Sequence, residues 1–502
     1  MSFLSRQDVG GTSSVSLPSL ALSWGLLLLA PLAASAGLPS CQPPCAVPFE
    51  GRETLFENII TGAPEEIVKG QVELKWPEGP LWLSWPKDVP ILSEEVALAA
   101  GLFPPSSSEA GGGTETANVS ALFFTDTMTD KIYIYEPGDG KVSVFLENAG
   151  SVGPRPDAPS ATPLEPGPRL EPGANGLGIN PKMPGSLFIC QHGARRLVRL
   201  RLGDVGVTGE VKGEVQKIAS RFRGFLLNSP NDLAFHPVDN SLFFTDPPYG
   251  LNPKNPYEPK EGGDKIPTAD ERMEMQSDVG FSGLFRRSGR GLELLDGGLP
   301  RPNGVAFVPP EGQWMLVGDS TADRPEDPEV QEEIEKGTEG EKEERVLTNW
   351  WVYRVEKKGE EYTVRGHPKA LLSEEELRHV KGRGRCDGLS IASDGRTVFA
   401  TGPGGVYVLE VGEGAGDTNE SDGENAGESP LAGRILGRLN VGGATSNCAI
   451  GGDGFLYVTA ETGVWRVPLA EGLAAPAWFK WANFDEISGQ KQQETNQKHD
   501  EL

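Results

Sequence analysis

Six short phrases in this 502-residue chain start with an oxygen-bearing side chain and lead into an apolar run. They are Glu78-Gly79, Asn175-Gly176, Asn231-Asp232, Asn303-Gly304, Asp387-Gly388 and Asn447-Cys448. Brought together, these heads would offer two carboxylates and four amides, a set of hard oxygen donors without sulfur or imidazole. Such a set suits Ca²⁺ or Mg²⁺ better than copper or zinc, and Glu78 with Asp387 would balance a divalent charge. The alternative is that Asn and Asp only hydrogen-bond their own turn at a strand start. That alternative is weakest for Glu78, because Glu has little turn preference and this one sits between Trp76-Pro77 and Gly79-Pro80.

The heads recur because the elements behind them recur. After each comes a second apolar run: Ala121 to Asp126, Ser186 to Gln191, Ser241 to Asp246, Trp314 to Asp319, Thr397 to Thr401 and Phe455 to Ala460. Third and fourth runs follow in the first five copies, for instance Lys131 to Tyr135 and Lys141 to Leu146 across the Pro137-Gly138-Asp139-Gly140 turn. Six copies of a four-strand unit predict an all-β, six-bladed β-propeller with antiparallel four-stranded blades, whose innermost strands line a central channel. The sixth copy has only Gly463 to Pro468 as its third run and lacks a fourth. The segment Val68 to Trp76 is expected to supply it and close the ring, with a strand in Ala477 to Phe484 as the competitor. Residues 86–119, 151–171, 251–280, 321–348 and 412–432 read as surface insertions rich in Pro, Gly, Ser or charge. The acidic stretch Pro325 to Arg345 reads as a solvated loop, with one helix as the alternative.

The ends of the chain carry addresses. Residues 1–36 have the form of a signal peptide, with an apolar run from Leu20 and the small-residue pattern Ala34-Ser35-Ala36. An N-terminal segment 37–65 precedes the propeller at 66–470, and a tail at 471–502 ends in HDEL, the retrieval address of the endoplasmic reticulum. The expected location is therefore the lumen of that organelle, with its retrieval receptor as a partner and no stable membrane insertion. A formal charge of −26 argues against nucleic acid as a partner. Five cysteines in an oxidising lumen leave open a Cys41–Cys45 pair or a pairing of either with Cys190, Cys386 or Cys448. Asn118 and Asn419 head glycosylation sequons.

Seven phrases resemble the gluconolactonase and regucalcin family, closest to its microbial-type gluconolactonase branch. They are EGPLW from Glu78, ANGL from Ala174, CQHGARRLVR from Cys190, SPNDLAF from Ser229, FFTDPPYGL from Phe243, RPNGVAF from Arg301 and CDGLSIASDG from Cys386. The likeness spans roughly residues 72 to 470 in order. It implies a propeller with one catalytic divalent ion, Ca²⁺ with Mg²⁺, Mn²⁺ or Zn²⁺ as alternatives, that hydrolyses sugar lactones. It implies Glu78, Asn303 and Asp387 as metal ligands, Asn231 as ligand or substrate contact, and Asp387 as the residue that positions or deprotonates water. Where the family has Pro before the final Asp-Gly, this chain has Cys386, which puts a thiol near the site.

Asn175, His192 and Tyr249 are further candidates for substrate contact. For His192 the competing reading is a hydrogen-bonded structural histidine, and for Tyr249 a packed loop anchor. Arg195 and Arg196 read as ion-pairing strand residues, and Asn447 as a strand-start residue without a chemical role. Two other function classes compete: a non-catalytic calcium-binding propeller of the reticulum lumen, and a strictosidine-synthase-like or arylesterase-like propeller. The metal-type heads argue against the synthase, and a total of five histidines argues against a histidine-dyad arylesterase.

Overall fold

Each second run is apolar on both faces because each blade is covered on both sides. In the computed structural model, Phe123 packs in a cluster shared by the first and second sheets, whereas its neighbour Phe124 packs in one shared by the sixth and first. Phe243 and Phe244 divide in the same way between two interfaces. Successive strand residues point to opposite faces, so a Phe-Phe pair serves two interfaces at once. Six hydrophobic clusters fill the six gaps between neighbouring sheets, and together they are the core.

The structure describes residues 42–86, 91–102, 118–153, 171–251, 277–321, 349–413, 431–461 and 463–473. From the inside outward, blade 1 is Pro77–Pro86, Asn118–Asp126, Lys131–Glu136 and Lys141–Glu147. Blade 2 is Leu177–Ile179, Ser186–Gln191, Arg196–Arg201 and Gln216–Ala219. Blade 3 is Leu233–Phe235, Leu242–Asp246, Gly283–Ser288 and Gly291–Asp296. Blade 4 is Pro302–Phe307, Trp314–Asp319, Trp350–Lys358 and Glu361–Ala370. Blade 5 is Leu389–Ile391, Thr397–Gly402, Gly405–Glu413 and Leu431–Asn440. Blade 6 is Thr445–Ile450, Phe455–Ala460, Gly463–Pro468 and, from the other end of the chain, Glu65–Glu66. This is the six-bladed propeller of antiparallel four-stranded sheets that the repeats predict.

Ring closure differs in detail from the expectation. The outer strand of blade 6 is Glu65–Glu66, paired with Arg466 and Trp465, and not Val68 to Trp76. Ile67 N adds a bond to Val464 O at 2.9 Å, and Ile60 bridges Leu469. The expected segment instead carries the chain from the rim to the first head, and on the way buries Val68 and Leu74 between blades 6 and 1. A second addition at the rim, Cys45–Pro48, gives blade 5 a fifth strand against Leu431–Asn440. Cys45 is disulfide-bonded, while Cys190, Cys386 and Cys448 are free and buried, which removes the pairings of Cys45 with those three. No helix among the described residues is long and apolar enough to cross a membrane. The signal segment, the acidic stretch 325–345, the Asn419 sequon, the strand considered at 477–484 and the HDEL terminus lie outside the described residues.

The heads are held together by a closed circuit of hydrogen bonds between blades. Thr125 Oγ1 donates to Asn175 O at 3.0 Å, Gly176 N to Asn231 O at 2.7 Å, and Thr245 Oγ1 to Asn303 O at 2.7 Å. Ser320 Oγ donates to Cys386 O at 2.5 Å, Gly388 N to Ser446 O at 2.8 Å, and Ser446 Oγ to Pro77 O at 2.6 Å, which returns the circuit to blade 1. At the four heads followed by glycine, these approaches leave no room for a side chain. A Cβ on Gly304 would stand 2.5 Å from Asp387 O, and one on Gly176 would stand 2.6 Å from Asn231 O. Gly304→Ala should therefore destabilise the fold by about 1–3 kcal/mol or more, as overpacking against rigid backbone does. Gly412→Ala, in the third strand of blade 5 with nothing within 4 Å, should leave stability nearly unchanged. Denaturant unfolding of the two variants side by side checks this, and equal midpoints would contradict it.

Candidate functional site

The approach to three heads is fixed by an Asp at the end of the second strand. Asp126 accepts from Lys75 N at 2.7 Å and Trp76 N at 3.2 Å, just before Glu78. Asp246 accepts from Asn228 N and Ser229 N, each at 2.8 Å, just before Asn231. Asp319 accepts from Arg301 N at 3.2 Å, just before Asn303. These aspartates close the runs ALFFTD, SLFFTD and WMLVGD, and their shared position is a sequence signal for a clamp that the head-centred reading passed over. Beyond the clamp, register shifts at Glu78/Leu81, Pro302/Val305 and Thr445/Asn447 place the heads of blades 1, 4 and 6 in bulges. Bulges re-aim side chains out of the ladder.

Burial pushes the Asp246 carboxyl up to about 7, against the opposing pull of its two backbone donors. The folded state thus holds this proton more tightly than the unfolded chain, whose carboxyl titrates near 3.8. The contribution of Asp246 to stability is complete below that pH and is lost as pH rises through about 7. Asp246→Asn should accordingly flatten the fall in Tm between about pH 4 and about pH 7. Thermal unfolding at stepped pH reads the slope, and an unchanged slope would reject the assignment.

The six heads are chemically unequal. The Asn447 side chain is satisfied: its Oδ1 accepts from Cys448 N at 2.8 Å, and it hydrogen-bonds Asp232. It also fills the space that Gly388 leaves, where a Cβ would lie 1.9 Å from Asn447 Cγ. Asn303 Nδ2 donates to Ser320 Oγ at 2.9 Å, which leaves its Oδ1 without a partner among the described residues. The buried Asn231 side chain makes no hydrogen bond among them. Asn175 Oδ1 and Asp387 Oδ1 are buried without a partner. Glu78, 2% exposed, accepts only two long bonds, from Trp76 Nε1 and Gly79 N, both at 3.3 Å. Under-satisfied oxygens thus come from five of the six heads.

Two acids that the sequence reading missed join them. Asp232 follows the third head where four other copies have Gly. Its Oδ1 accepts from Leu233 N at 2.8 Å and its Oδ2 from Val305 N at 3.3 Å, and burial raises its pKa to about 6. Glu171 lies in the connection from blade 1 to blade 2. Burial raises Glu78 and Asp387 well above the usual carboxylate range. The charge of Asp387 then raises Glu78, and Glu171 and Asp232 raise both, while Arg385 opposes the shift of Asp387. The structure therefore crowds carboxyl groups whose ionisation burial and mutual repulsion oppose.

His192 is fully buried, with Nδ1 3.2 Å from Pro230 O. Its Nε2 is 3.1 Å from Glu171 Oε2, within ion-pair reach though not aligned as a hydrogen bond. Both nitrogens face protein oxygens, the arrangement of the structural alternative. Tyr249 presents a hydroxyl without a hydrogen-bond partner of good geometry, beside Ser320, Arg301 and Arg385; burial pushes it up to about 12, so it remains a neutral donor. Arg195 pairs with Asp278 at 2.6 Å, whereas Arg196 bonds the Gln191 amide oxygen at 2.6 Å and backbone carbonyls. The Cys386 thiol is buried and burial raises its pKa well above the usual range.

No group of three His, Cys, Asp or Glu side chains among the described residues has the geometry to hold an ion. Amide oxygens would have to complete any coordination set. The unpartnered oxygens of Asn175, Asn303 and Asp387 and the raised Glu78 fit that requirement, since a hard cation takes carboxylate and amide oxygens together.

The fold and its axis define a six-bladed propeller with a central site of carboxylates and amides. No family model matches the chain. A gluconolactonase of Zymomonas mobilis is 25% identical over 418 residues, which is 82% of this chain and 82% of that protein. This likeness supports the resemblance to the gluconolactonase and regucalcin family that the sequence phrases carry. Among solved structures, a gluconolactonase of Xanthomonas campestris is 19% identical, covers 85% of this chain and 98% of its own, and superposes with a TM-score of 0.48. A calcium-binding regucalcin of Agrobacterium tumefaciens is 10% identical, covers 84% and 96%, and has a TM-score of 0.39.

The charge at the axis sets a trade between stability and ligand binding. Carboxyls raised in the folded state stabilise it least when ionised, so the ion-free protein should lose stability as pH climbs above the ordinary carboxylate range. Glu78→Gln and Asp387→Asn should each raise the Tm measured in chelator at neutral pH, and shrink the further rise produced by added Ca²⁺. A lower Tm in chelator together with an unchanged Ca²⁺ response would contradict this.

Proposed function

We propose that this protein is a metal-dependent lactonase that opens sugar lactones, such as an aldonolactone, to the corresponding acid in the lumen of the endoplasmic reticulum. The observation that carries the reading is the axial set itself. Glu78, Asp387, Asn303 and Asn231 head inner strands of one ring, buried and short of hydrogen-bond partners, in a chain similar to a gluconolactonase. Ca²⁺ is the favoured ion, with Mg²⁺, Mn²⁺ or Zn²⁺ as alternatives. Bound there, a divalent cation would polarise the lactone carbonyl and stabilise negative charge on its oxygen.

The side chains divide the remaining work. Asp387 has one oxygen without a protein partner, and in this reading it orients the attacking water and accepts its proton at Oδ1. The water oxygen bonds to the carbonyl carbon, the ring C–O bond breaks, and the departing oxygen takes up a proton to become the hydroxyl of the acid. Tyr249, a neutral donor at the same place, suits a bond to that ring oxygen or to a substrate hydroxyl. Asn231 and Asn175 supply further polar contacts. No covalent nucleophile is needed. The signal segment and the HDEL terminus support the lumenal location.

A pH-stat assay of an aldonolactone panel separates a lactonase from a calcium-binding propeller without activity. Acid release is expected to stop in chelator and to return with Ca²⁺. Asp387→Asn should lower kcat by about 10²-fold or more, the range for loss of a general base. Full activity of that variant would remove Asp387 from the chemistry, and no turnover of any lactone by the wild type would leave the calcium-binding reading.

A further inference from the structure

We propose that Glu171, held in place by His192, recognises adjacent hydroxyl groups of the substrate and so selects polyhydroxylated lactones over plain ones. This rests on the lactonase reading. Glu171 precedes the Asn175 head by four residues, on the connection between blades 1 and 2, so it is set back from the ring of heads. Its side chain is 22% exposed where that of His192 is 0% exposed, which makes it the member of the pair that a solute can reach. Its charge is felt by both Glu78 and Asp387, so the carboxylate belongs to the same axial space.

His192 is out of reach of a substrate, being fully buried with both ring nitrogens turned to protein oxygens. Its Nδ1 faces Pro230 O at 3.2 Å and its Nε2 faces Glu171 Oε2 at 3.1 Å. Gly250 crowds it as well, since a Cβ there would lie 2.8 Å from His192 Cδ2. It is therefore a positioning residue. Glu171 Oε1, by contrast, has no partner among the described residues. An ionised carboxylate accepts and never donates, and two neighbouring ring hydroxyls present two donors to it. Tyr249, next to the Gly250 that packs on His192, feels the charges of Arg301, Arg385 and Asp387. The site thus holds an acceptor, Glu171 Oε1, and a neutral donor, the Tyr249 hydroxyl, the two kinds of group that a ring bearing hydroxyls would engage.

The test compares kcat/KM for glucono-δ-lactone and for unsubstituted δ-valerolactone, using the Ca²⁺-loaded full chain, its Glu171→Gln variant and its His192→Gln variant. The ratio of the two values should fall by about tenfold or more in each variant, chiefly through KM for the hydroxylated substrate, because a site built to pair hydroxyls loses discrimination when the pairing group is weakened. A ratio within about twofold of wild type, or an equal loss of kcat on both substrates, overturns the proposal. So does a loss of Ca²⁺ affinity in Glu171→Gln measured by calorimetry, which would make Glu171 an ion ligand. If His192→Gln does not fold, the partly exposed Glu171→Gln decides alone. If the wild type turns over neither lactone, the lactonase reading itself fails, and this inference with it.

Discussion

Everything in this molecule is arranged around the contact of one backbone with the next at the propeller axis. Six inner strands converge there, and the gap between neighbours is bridged by hydrogen bonds of 2.5 to 3.0 Å from hydroxyls or amides to carbonyls of the next blade. At four of the heads the next blade comes so close that the following residue can bring no side chain, and glycine stands there, whereas Asp232 and Cys448 follow the other two. The constraint is steric before it is chemical. Once met, it delivers the head side chains to one place irrespective of what they are. Blade 4 shows the tolerance of the device: where blades 1 and 3 use Thr125 and Thr245, it has Gly318, packed directly on Asp387 O, with Ser320 making the bond two residues later.

The axis gathers acids at the expense of the fold. Burial and mutual repulsion raise Glu78 and Asp387, and Asp232 and Glu171 add to the field. A region chosen for stability alone would carry amides throughout, as Asn447 does in its fully bonded pocket. Buried carboxylates that repel one another are a feature of sites that bind positive charge. The apolar interfaces between blades, filled at six places around the ring, supply the stability against which that repulsion is set.

Much of this was legible before any coordinates. The phrase structure of head, apolar run, turn and apolar run is local, so blade number and most strands follow from reading along the chain; Lys131–Glu136 and Gly463–Pro468 fall within a residue of their expected limits. Ring closure was harder, because Glu65–Glu66 is two residues long and polar and its partner lies some four hundred positions away. A strand that short has no periodicity to read. Asp232 was in plain view in the Asn231-Asp232 phrase but was given no role, and only its bonds to Leu233 N and Val305 N show that it faces two blades.

By itself the sequence determined the residue types at the axis, the number of blades and the glycines that let the inner strands meet, since each is a matter of local pattern and of what a missing Cβ permits. The tertiary structure alone decided how those residues differ. Whether an amide is satisfied, like that of Asn447, or left with a bare oxygen, like that of Asn175, depends on which atoms arrive from other blades. The pairing of His192 with Glu171 is of the same kind, a contact between a strand end and a connection whose composition announced nothing. Hydrogen-bond satisfaction and electrostatic crowding are properties of neighbours in space, and a propeller takes those neighbours from all around the chain.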